Sequence, residues 1–167
     1  MSLFRPSIKL EKLTDIKPEE LKRRGIRFLI LDVDNTLSPY KIDEATQEAV
    51  SWAETMKKEG VSLFILSNNK GERPELFARQ LGIEYLKRAK KPSPKGVAAA
   101  CEKKGFSKTE TALVGDQVFT DMLCANRAGV SSILVEPIKF TWPWLRWRYW
   151  LEIPFRRPKK KKTAKEK

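Results

Sequence analysis

Carboxylates, a hydroxyl, an amide and a lysine recur just after apolar segments of this 167-residue chain. In chain order these residues are Asp32, Asp34, Ser67, Asn68, Lys91, Asp116 and Asp121. Carboxylates are the hard oxygen ligands that Mg²⁺ prefers, usually one or two of them together with substrate phosphate and waters. An ammonium and a hydroxyl can contact the oxygens of that same phosphate. The set therefore predicts Mg²⁺-dependent chemistry on a phosphate ester.

The carboxylates divide into metal ligands and reacting groups. Asp32 and Asp116 can both supply a carboxylate to Mg²⁺. A carboxylate can also attack phosphorus and form an acyl phosphate, which splits hydrolysis into two easier steps. Asp34, two residues further along, can protonate the leaving alkoxide and then deprotonate water.

The remaining polar groups suit the transferred phosphoryl group. Ser67 and the backbone N–H groups that follow it, including that of Asn68, can hold a phosphoryl oxygen. Lys91 can neutralise charge on the equatorial oxygens. Each motif alone also has a purely structural reading, such as a turn in which Thr36 caps a helix or a solvated surface lysine. Their order and their common position after apolar segments favour the functional reading.

The elements that must position these groups are five short strands alternating with helices. The predicted strands are 26–33, 61–66, 83–86, 111–114 and 131–135, and the predicted helices are 18–25, 43–59, 72–81, 95–104 and 119–128. This alternation predicts an α/β, three-layer Rossmann-like fold with a five-stranded parallel sheet. In such a sheet the ligand crevice lies beyond the carboxyl ends of the strands, where the polar residues stand.

The intervals between the motifs are short. Asp34 and Ser67 are 33 residues apart, and Ser67 and Lys91 are 24 apart, which helices, loops and a strand consume. We therefore expect no large cap domain and an open site, which suits a phosphate that protrudes from a membrane or a macromolecule.

Composition excludes several other classes of enzyme. The chain contains no histidine, which removes Ser-His-Asp and Cys-His triads and histidine metal clusters. Cys101 and Cys124 form no C-x-x-C motif, and residues 1–13 hold no apolar signal-peptide core. We therefore expect a reducing, cytoplasmic location.

The motifs together resemble the haloacid dehalogenase (HAD) superfamily over roughly residues 26–136. The segments that carry the resemblance are Asp32-Val-Asp-Asn-Thr36, Ser67, Lys91-Pro92 and Gly115-Asp116-x₄-Asp121. The resemblance implies that Asp32 is the nucleophile and Asp34 the general acid and base. It further implies that Mg²⁺ binds the Asp32 carboxylate, the Asp34 backbone carbonyl and Asp116. Asp121 would support the site from behind these ligands or orient Lys91.

Leu31-Asp-Val-Asp-Asn-Thr-Leu37, Leu66-Ser-Asn-Asn69 and the segment 114–127 are similar to those of YqeG-type phosphatases, class IIIA of the superfamily. These are related to the mitochondrial-type phosphatidylglycerophosphatases. The resemblance implies a phosphomonoester on a lipid head group, phosphatidylglycerophosphate, as substrate.

The C-terminal composition differs from that of the body. We expect a phosphatase domain over 1–137, with an N-terminal helical extension over 1–25, and a basic, Trp-rich tail over 138–167. Of the net charge of +13, residues 139–167 carry +9, from eleven basic and two acidic residues. Residues 142–162 are expected to contact the anionic inner face of a membrane. The alternatives are a basic protein that binds RNA or ribosomes, a phosphatase of macromolecular or soluble phosphates, and tryptophans that pack on the body.

Overall fold

The computed structural model describes residues 3–159, and its centre is a parallel sheet with the strand order β1-β6-β5-β2-β3-β4. The strands are β1 Ile8–Lys9, β2 Phe28–Leu31, β3 Ser62–Leu66, β4 Glu84–Leu86, β5 Thr111–Gly115 and β6 Ser131–Leu134. The helices are α1 Pro18–Arg23, α2 Gln47–Lys58, α3 Arg73–Leu81, α4 Lys95–Lys104, α5 Leu123–Ala128 and α6 Pro143–Glu152. A π-helical turn, Val118–Met122, leads into α5.

Helices cover both faces of the sheet because alternate strand residues point to opposite sides. Leu29 and Leu31 of β2 pack in the core that α2 and α3 complete, with Trp52 and Phe77 among its members. Phe28 and Ile30 of β2 pack in the core that α4 and α5 complete. The predicted three-layer α/β fold is confirmed. Within residues 3–159 no large cap domain is inserted between the strands, as predicted.

The predicted strand number was wrong by one. β1 pairs in parallel with β6, through Ile8 beside Ile133 and Lys9 beside Leu134. A strand of two residues is too short to show an alternating pattern, so only its pairing reveals it.

β2 lies between β3 and β5 in the middle of the sheet. From β2 the chain continues through β3 to β4 on one side, and it then crosses to β5 and β6 on the other. The order of strands thus reverses between β2 and β5, which is where open α/β sheets bind ligands. Asp32 follows β2 directly, and Asp116 follows β5 directly.

The C-terminal segment lies against the body through buried polar contacts. Nη1 of Arg156 donates to the backbone oxygen of Asp116 at 2.9 Å and to Glu152 Oε2 at 3.1 Å. Glu152 Oε1 accepts from the Phe119 N–H at 3.3 Å. The arginine and glutamate side chains are both buried. Among residues 3–159, no helix has the length and apolar character needed to span a membrane. Residues 160–167, which include Lys160–Lys162 of the basic run, lie outside the described part.

Candidate active site

The site centres on a buried lysine between two carboxylates. Nζ of Lys91 donates to Asp32 Oδ1 and to Asp121 Oδ1, each at 2.7 Å. All three side chains are buried. Asp32 is fixed from its backbone as well, since its N–H donates to the Val114 carbonyl at 2.9 Å and so extends the pairing of β2 with β5.

A third carboxylate, that of Asp116, completes the cluster. One oxygen each of Asp32, Asp116 and Asp121 lie within 4.8 Å of one another. Both oxygens of Asp121 are used, because Oδ2 accepts the Gln117 N–H at 3.1 Å. Oδ1 of Asp116 is buried and has no hydrogen-bond partner among the described residues. A buried carboxylate oxygen normally has a partner.

The charges of the cluster favour the binding of a cation. Burial, only partly offset by Lys91, raises the pKa of Asp32 to about 7. Burial also raises the pKa of Asp116 well above its usual range, with Asp121 and Asp32 adding to the shift. Although burial lowers the pKa of Lys91, the two neighbouring aspartates outweigh it and keep the ammonium charged. The Lys91 ammonium is therefore the one positive charge within a cluster of three carboxylates. The residues fit a divalent metal ion held by Asp32 and Asp116.

Two local features make this arrangement possible. Asn35 has φ of 59°, a left-handed conformation that asparagine tolerates, and its N–H donates to the Ser38 carbonyl at 2.8 Å. This turn follows Asp34 and bends the chain back at the edge of the sheet. At Gly115, a Cβ would lie 2.3 Å from Asp121 Cγ, so only glycine allows that carboxylate to approach.

The residues directly after β3 fix the backbone of Lys91. The Asn68 side chain donates Nδ2–H to the Lys91 carbonyl at 2.9 Å and accepts the Lys91 N–H at 2.7 Å. Ser67 is fully buried, and its Oγ accepts the Asn69 N–H at 3.1 Å. The side chain of Asn68 therefore fixes the backbone from which Lys91 reaches the carboxylates.

Arg73, the first residue of α3, contacts Asp34, which the sequence analysis did not anticipate. Its Nε donates to Asp34 Oδ1 at 2.8 Å, and its Nη1 donates to Asp43 Oδ1 at 2.7 Å. Within residues 3–159, Oδ2 of Asp34 has no hydrogen-bond partner. Arg73 therefore fixes the orientation of Asp34 through one oxygen and leaves the other available to a ligand.

These groups surround a cavity of about 210 Å³. Its lining residues are Asp32, Asp34, Tyr40, Asn68, Lys91, Gln117, Thr120 and Arg148. All seven predicted site residues therefore lie at one edge of the sheet, four in the cavity wall and Ser67, Asp116 and Asp121 beside it. The other four lining residues, Tyr40, Gln117, Thr120 and Arg148, were not predicted; they lie in a loop, directly after Asp116, in the π-helical turn and in α6. The sequence around these residues contains no motif that separates them from ordinary polar surface residues.

Comparison with known proteins identifies the family of this chain. A family model described as mitochondrial PGP phosphatase matches residues 1–139. The chain is 37% identical over 135 residues to the probable phosphatase YqeG of Bacillus subtilis, covering 81% of this chain and 78% of that protein.

A plant protein and a solved structure are more distant. Phosphatidylglycerophosphate phosphatase 1, chloroplastic/mitochondrial, of Arabidopsis thaliana is 31% identical over 144 residues, which is 80% of this chain and 41% of that protein. The chain thus spans less than half the length of this relative. The cobalt-bound deoxy-D-mannose-octulosonate 8-phosphate phosphatase of Haemophilus influenzae shares the fold, with a TM-score of 0.57, 17% identity, and coverage of 68% of this chain and 70% of that one. The chain therefore belongs to the PGP phosphatase family, among the YqeG-type phosphatases of the haloacid dehalogenase superfamily.

Proposed function

We propose that this protein hydrolyses the phosphomonoester of phosphatidylglycerophosphate at the cytoplasmic face of an anionic membrane, with Mg²⁺ and through an aspartyl-phosphate. The observation that carries the proposal is the Asp32 carboxylate, which lines the cavity, is held by Lys91 and stands beside an unpartnered oxygen of Asp116. The name of the Arabidopsis relative supports the choice of lipid.

In the first half of the reaction, an oxygen of Asp32 attacks phosphorus. A bond forms between that oxygen and phosphorus, and the bond from phosphorus to the alkoxide breaks. Asp34, through the oxygen that Arg73 leaves available, gives its proton to the departing alkoxide. Lys91, already charged and buried beside Asp32, stabilises the equatorial oxygens, with a phosphoryl oxygen also held by Ser67 and the N–H that follows it.

In the second half, water attacks the phosphorus of the aspartyl-phosphate. Asp34 takes the proton of this water, the bond from phosphorus to Asp32 breaks, and inorganic phosphate leaves with the carboxylate restored. Mg²⁺ would be held by Asp32, Asp116 and the Asp34 backbone carbonyl, and when bound it supplies positive charge opposite the phosphate oxygens. Asp121 holds Lys91 in place throughout.

The size of the cavity favours a head group over a whole lipid. About 210 Å³ is below the roughly 300–1,000 Å³ of sites that enclose drug-sized molecules. A phosphorylated glycerol head group can enter such a space while its acyl chains stay outside. A membrane is the natural place for those chains.

The outer surface of α6 provides the membrane contact in this proposal. We call Trp144, Trp147, Trp150 and Leu151 the tryptophan face, because their spacing puts them on one side of the helix and all four are exposed. Trp147 and Trp150 are 74% and 71% exposed, although indoles of this size are usually largely buried. Indole rings sit well at the level of lipid head groups, and the basic C-terminal residues would be attracted to anionic lipid.

We expect phosphatidylglycerophosphate in mixed micelles to release inorganic phosphate when Mg²⁺ is present, and EDTA to abolish the release. Phosphatidic acid, glycerol 3-phosphate and p-nitrophenyl phosphate are the comparison substrates, all measured by phosphate release. Activity that survives chelation would remove the metal from the mechanism. Hydrolysis of the soluble phosphates without hydrolysis of the lipid would show that phosphatidylglycerophosphate is not the substrate, whereas the proposed phosphomonoester hydrolysis would remain supported.

The double variant Trp147→Ala/Trp150→Ala should weaken binding to anionic vesicles by roughly tenfold or more, equivalent to about 1.4 kcal/mol. Turnover of p-nitrophenyl phosphate should stay unchanged, because neither indole lines the cavity. Co-sedimentation with vesicles measures the binding, and Leu86→Ala, which removes an exposed apolar side chain on β4, is the matched control. Unaltered vesicle binding, or co-sedimentation with RNA and not with vesicles at matched salt, would contradict membrane docking.

A further inference from the structure

Arg148 is a charged residue that α6 brings to the wall of the cavity, next to Asp32, Asp34 and Lys91. The residue is half-buried. Its guanidinium lies over the Trp144 ring, 5.2 Å from the ring centroid. The mechanism proposed above assigns this arginine no role.

Contacts among aromatic rings connect Arg148 with Tyr40, another residue that lines the cavity. The Trp144 ring stacks on that of Trp142, with centroids 6.1 Å apart and 15° between the planes. The Trp142 ring in turn lies 5.3 Å from that of Tyr40, which also lines the cavity. The Tyr40 hydroxyl accepts Nε2–H of Gln117 at 3.2 Å. The guanidinium therefore rests on an aromatic row that runs from Trp144, itself part of the exposed tryptophan face, to Tyr40 in the cavity wall.

Arg148 has no carboxylate partner in residues 3–159, whereas the buried cations Lys91, Arg73 and Arg156 all have one. Its charge nevertheless acts on the site. Burial and Asp116 raise the pKa of Tyr40 above its ordinary value, and Arg148 opposes that shift. The same charge opposes the upward pKa shifts of Asp116 and Glu152, although Arg148 forms an ion pair with neither. A guanidinium that faces a cavity without a carboxylate in ion-pair contact is suited to bind an anion bidentately.

We propose that Arg148 binds a second anionic group of the substrate, the phosphodiester that lies one glycerol away from the reacting phosphomonoester. The inference rests on the phosphatase function proposed for this cavity, and it names the feature of the substrate that the cavity distinguishes. The phosphomonoester already has Lys91 and the metal site, which lie deeper at the sheet edge. Asp32, Lys91 and Asp116 are buried, whereas Arg148 in the cavity wall is half-buried, so we place it beside the part of the ligand that points outward. The assigned role is substrate recognition and not chemistry.

The test uses two soluble compounds, so that membrane binding plays no part. Glycerophosphoglycerol phosphate, the deacylated head group, carries a phosphodiester and a phosphomonoester, whereas glycerol 3-phosphate carries only the phosphomonoester. Arg148→Gln should lower kcat/KM for the first compound by about 10–100-fold, mostly through KM, the range expected for loss of a charge-assisted hydrogen bond. Activity on glycerol 3-phosphate should stay within about twofold of wild type. Arg148→Lys should restore part of the loss.

Arg146→Gln is the matched control. Arg146 is exposed on the same helix, about 200° around its axis from Arg148, and it does not line the cavity. This variant should match wild type on both compounds. Equal losses on the two compounds in Arg148→Gln would overturn the proposal, and so would the absence of any loss.

A binding measurement makes the inference independent of turnover. In the Asp32→Asn background, calorimetry should give a weaker Kd for glycerophosphoglycerol phosphate when Arg148→Gln is added, again by about 10–100-fold. Unchanged affinity would overturn the inference even if the protein hydrolyses neither compound. Failure of intact phosphatidylglycerophosphate alone, with the deacylated compound accepted through Arg148, would count against the lipid and membrane part of the proposed function.

Discussion

Asp32→Asn is expected to abolish phosphate release, with kcat falling by roughly 10⁴-fold or more, as when the nucleophile is removed from other covalent enzymes. An amide neither attacks phosphorus nor offers a metal the charge of a carboxylate. After acid quench, wild type should also carry a hydroxylamine-sensitive phosphate label, and the variant should carry none. The rate is measured with Mg²⁺ on p-nitrophenyl phosphate, and the label with a radioactive substrate.

The variant should still fold, because Lys91 keeps its ion pair with Asp121. Far-UV circular dichroism and a cooperative thermal transition serve as the control for folding. If the folded variant retains most of its activity, or if the phosphate label persists, Asp32 is not the nucleophile. A label at a different carboxylate would identify which residue is.

Asp34→Asn is expected to lose about 10²–10⁴-fold in kcat on glycerol 3-phosphate, the usual contribution of a general acid or base. The loss should be smaller on p-nitrophenyl phosphate, since p-nitrophenolate leaves without needing a proton. Metal binding should be nearly unchanged, because the ligand proposed for this residue is its backbone carbonyl. Rates on the two substrates check the expected losses of kcat, and a metal titration checks that the affinity for the metal is unchanged.

Asp43→Asn is a matched control for Asp34→Asn. Asp43 also pairs with Arg73, but its side chain is 63% exposed and it does not line the cavity. Removing its charge tests whether the Arg73 network alone affects the rate, and we expect a change of less than about threefold, as for an exposed ion pair. Equal losses on both substrates in Asp34→Asn, or a comparable loss in Asp43→Asn, would make Asp34 a structural residue.

The residues directly after the strands were predictable from the sequence because a parallel sheet leaves them little freedom. Strands of one direction bring their carboxyl ends to the same edge, so Asp32 after β2 and Asp116 after β5 were expected at that edge once the strands were located. That the two strands are neighbours is seen in the structure. The ion pairs of Lys91 could not be predicted from the strands alone, because the position of Lys91 depends on the loop after β4 and on the Asn68 amide. The expectation that Asp121 orients Lys91 came from the resemblance to the haloacid dehalogenase superfamily, because the positions of the strands alone do not indicate it.

Other parts of the site depend on packing between distant segments. Arg73 begins a helix, and nothing in its local sequence separates it from a solvated arginine at a helix terminus. Arg148 lies in a segment that composition alone suggests is a tail. Its position in the cavity follows from contacts of α6 with the body, which include buried Leu145. Such contacts between segments far apart in sequence leave no periodic signal in either segment.

Arg156 has a practical consequence for choosing fragments of this protein. The family match ends at residue 139, yet the guanidinium that binds the Asp116 carbonyl comes from residue 156. A fragment cut at the family boundary would leave this carbonyl, and the Phe119 N–H held by Glu152, without their partners beside the proposed metal site. Its loss of activity would be misread as evidence for a role of the C-terminus in membrane attachment. The smallest unit expected to keep the Asp116–Phe119 segment intact extends to Arg156, seventeen residues past the end of the family match.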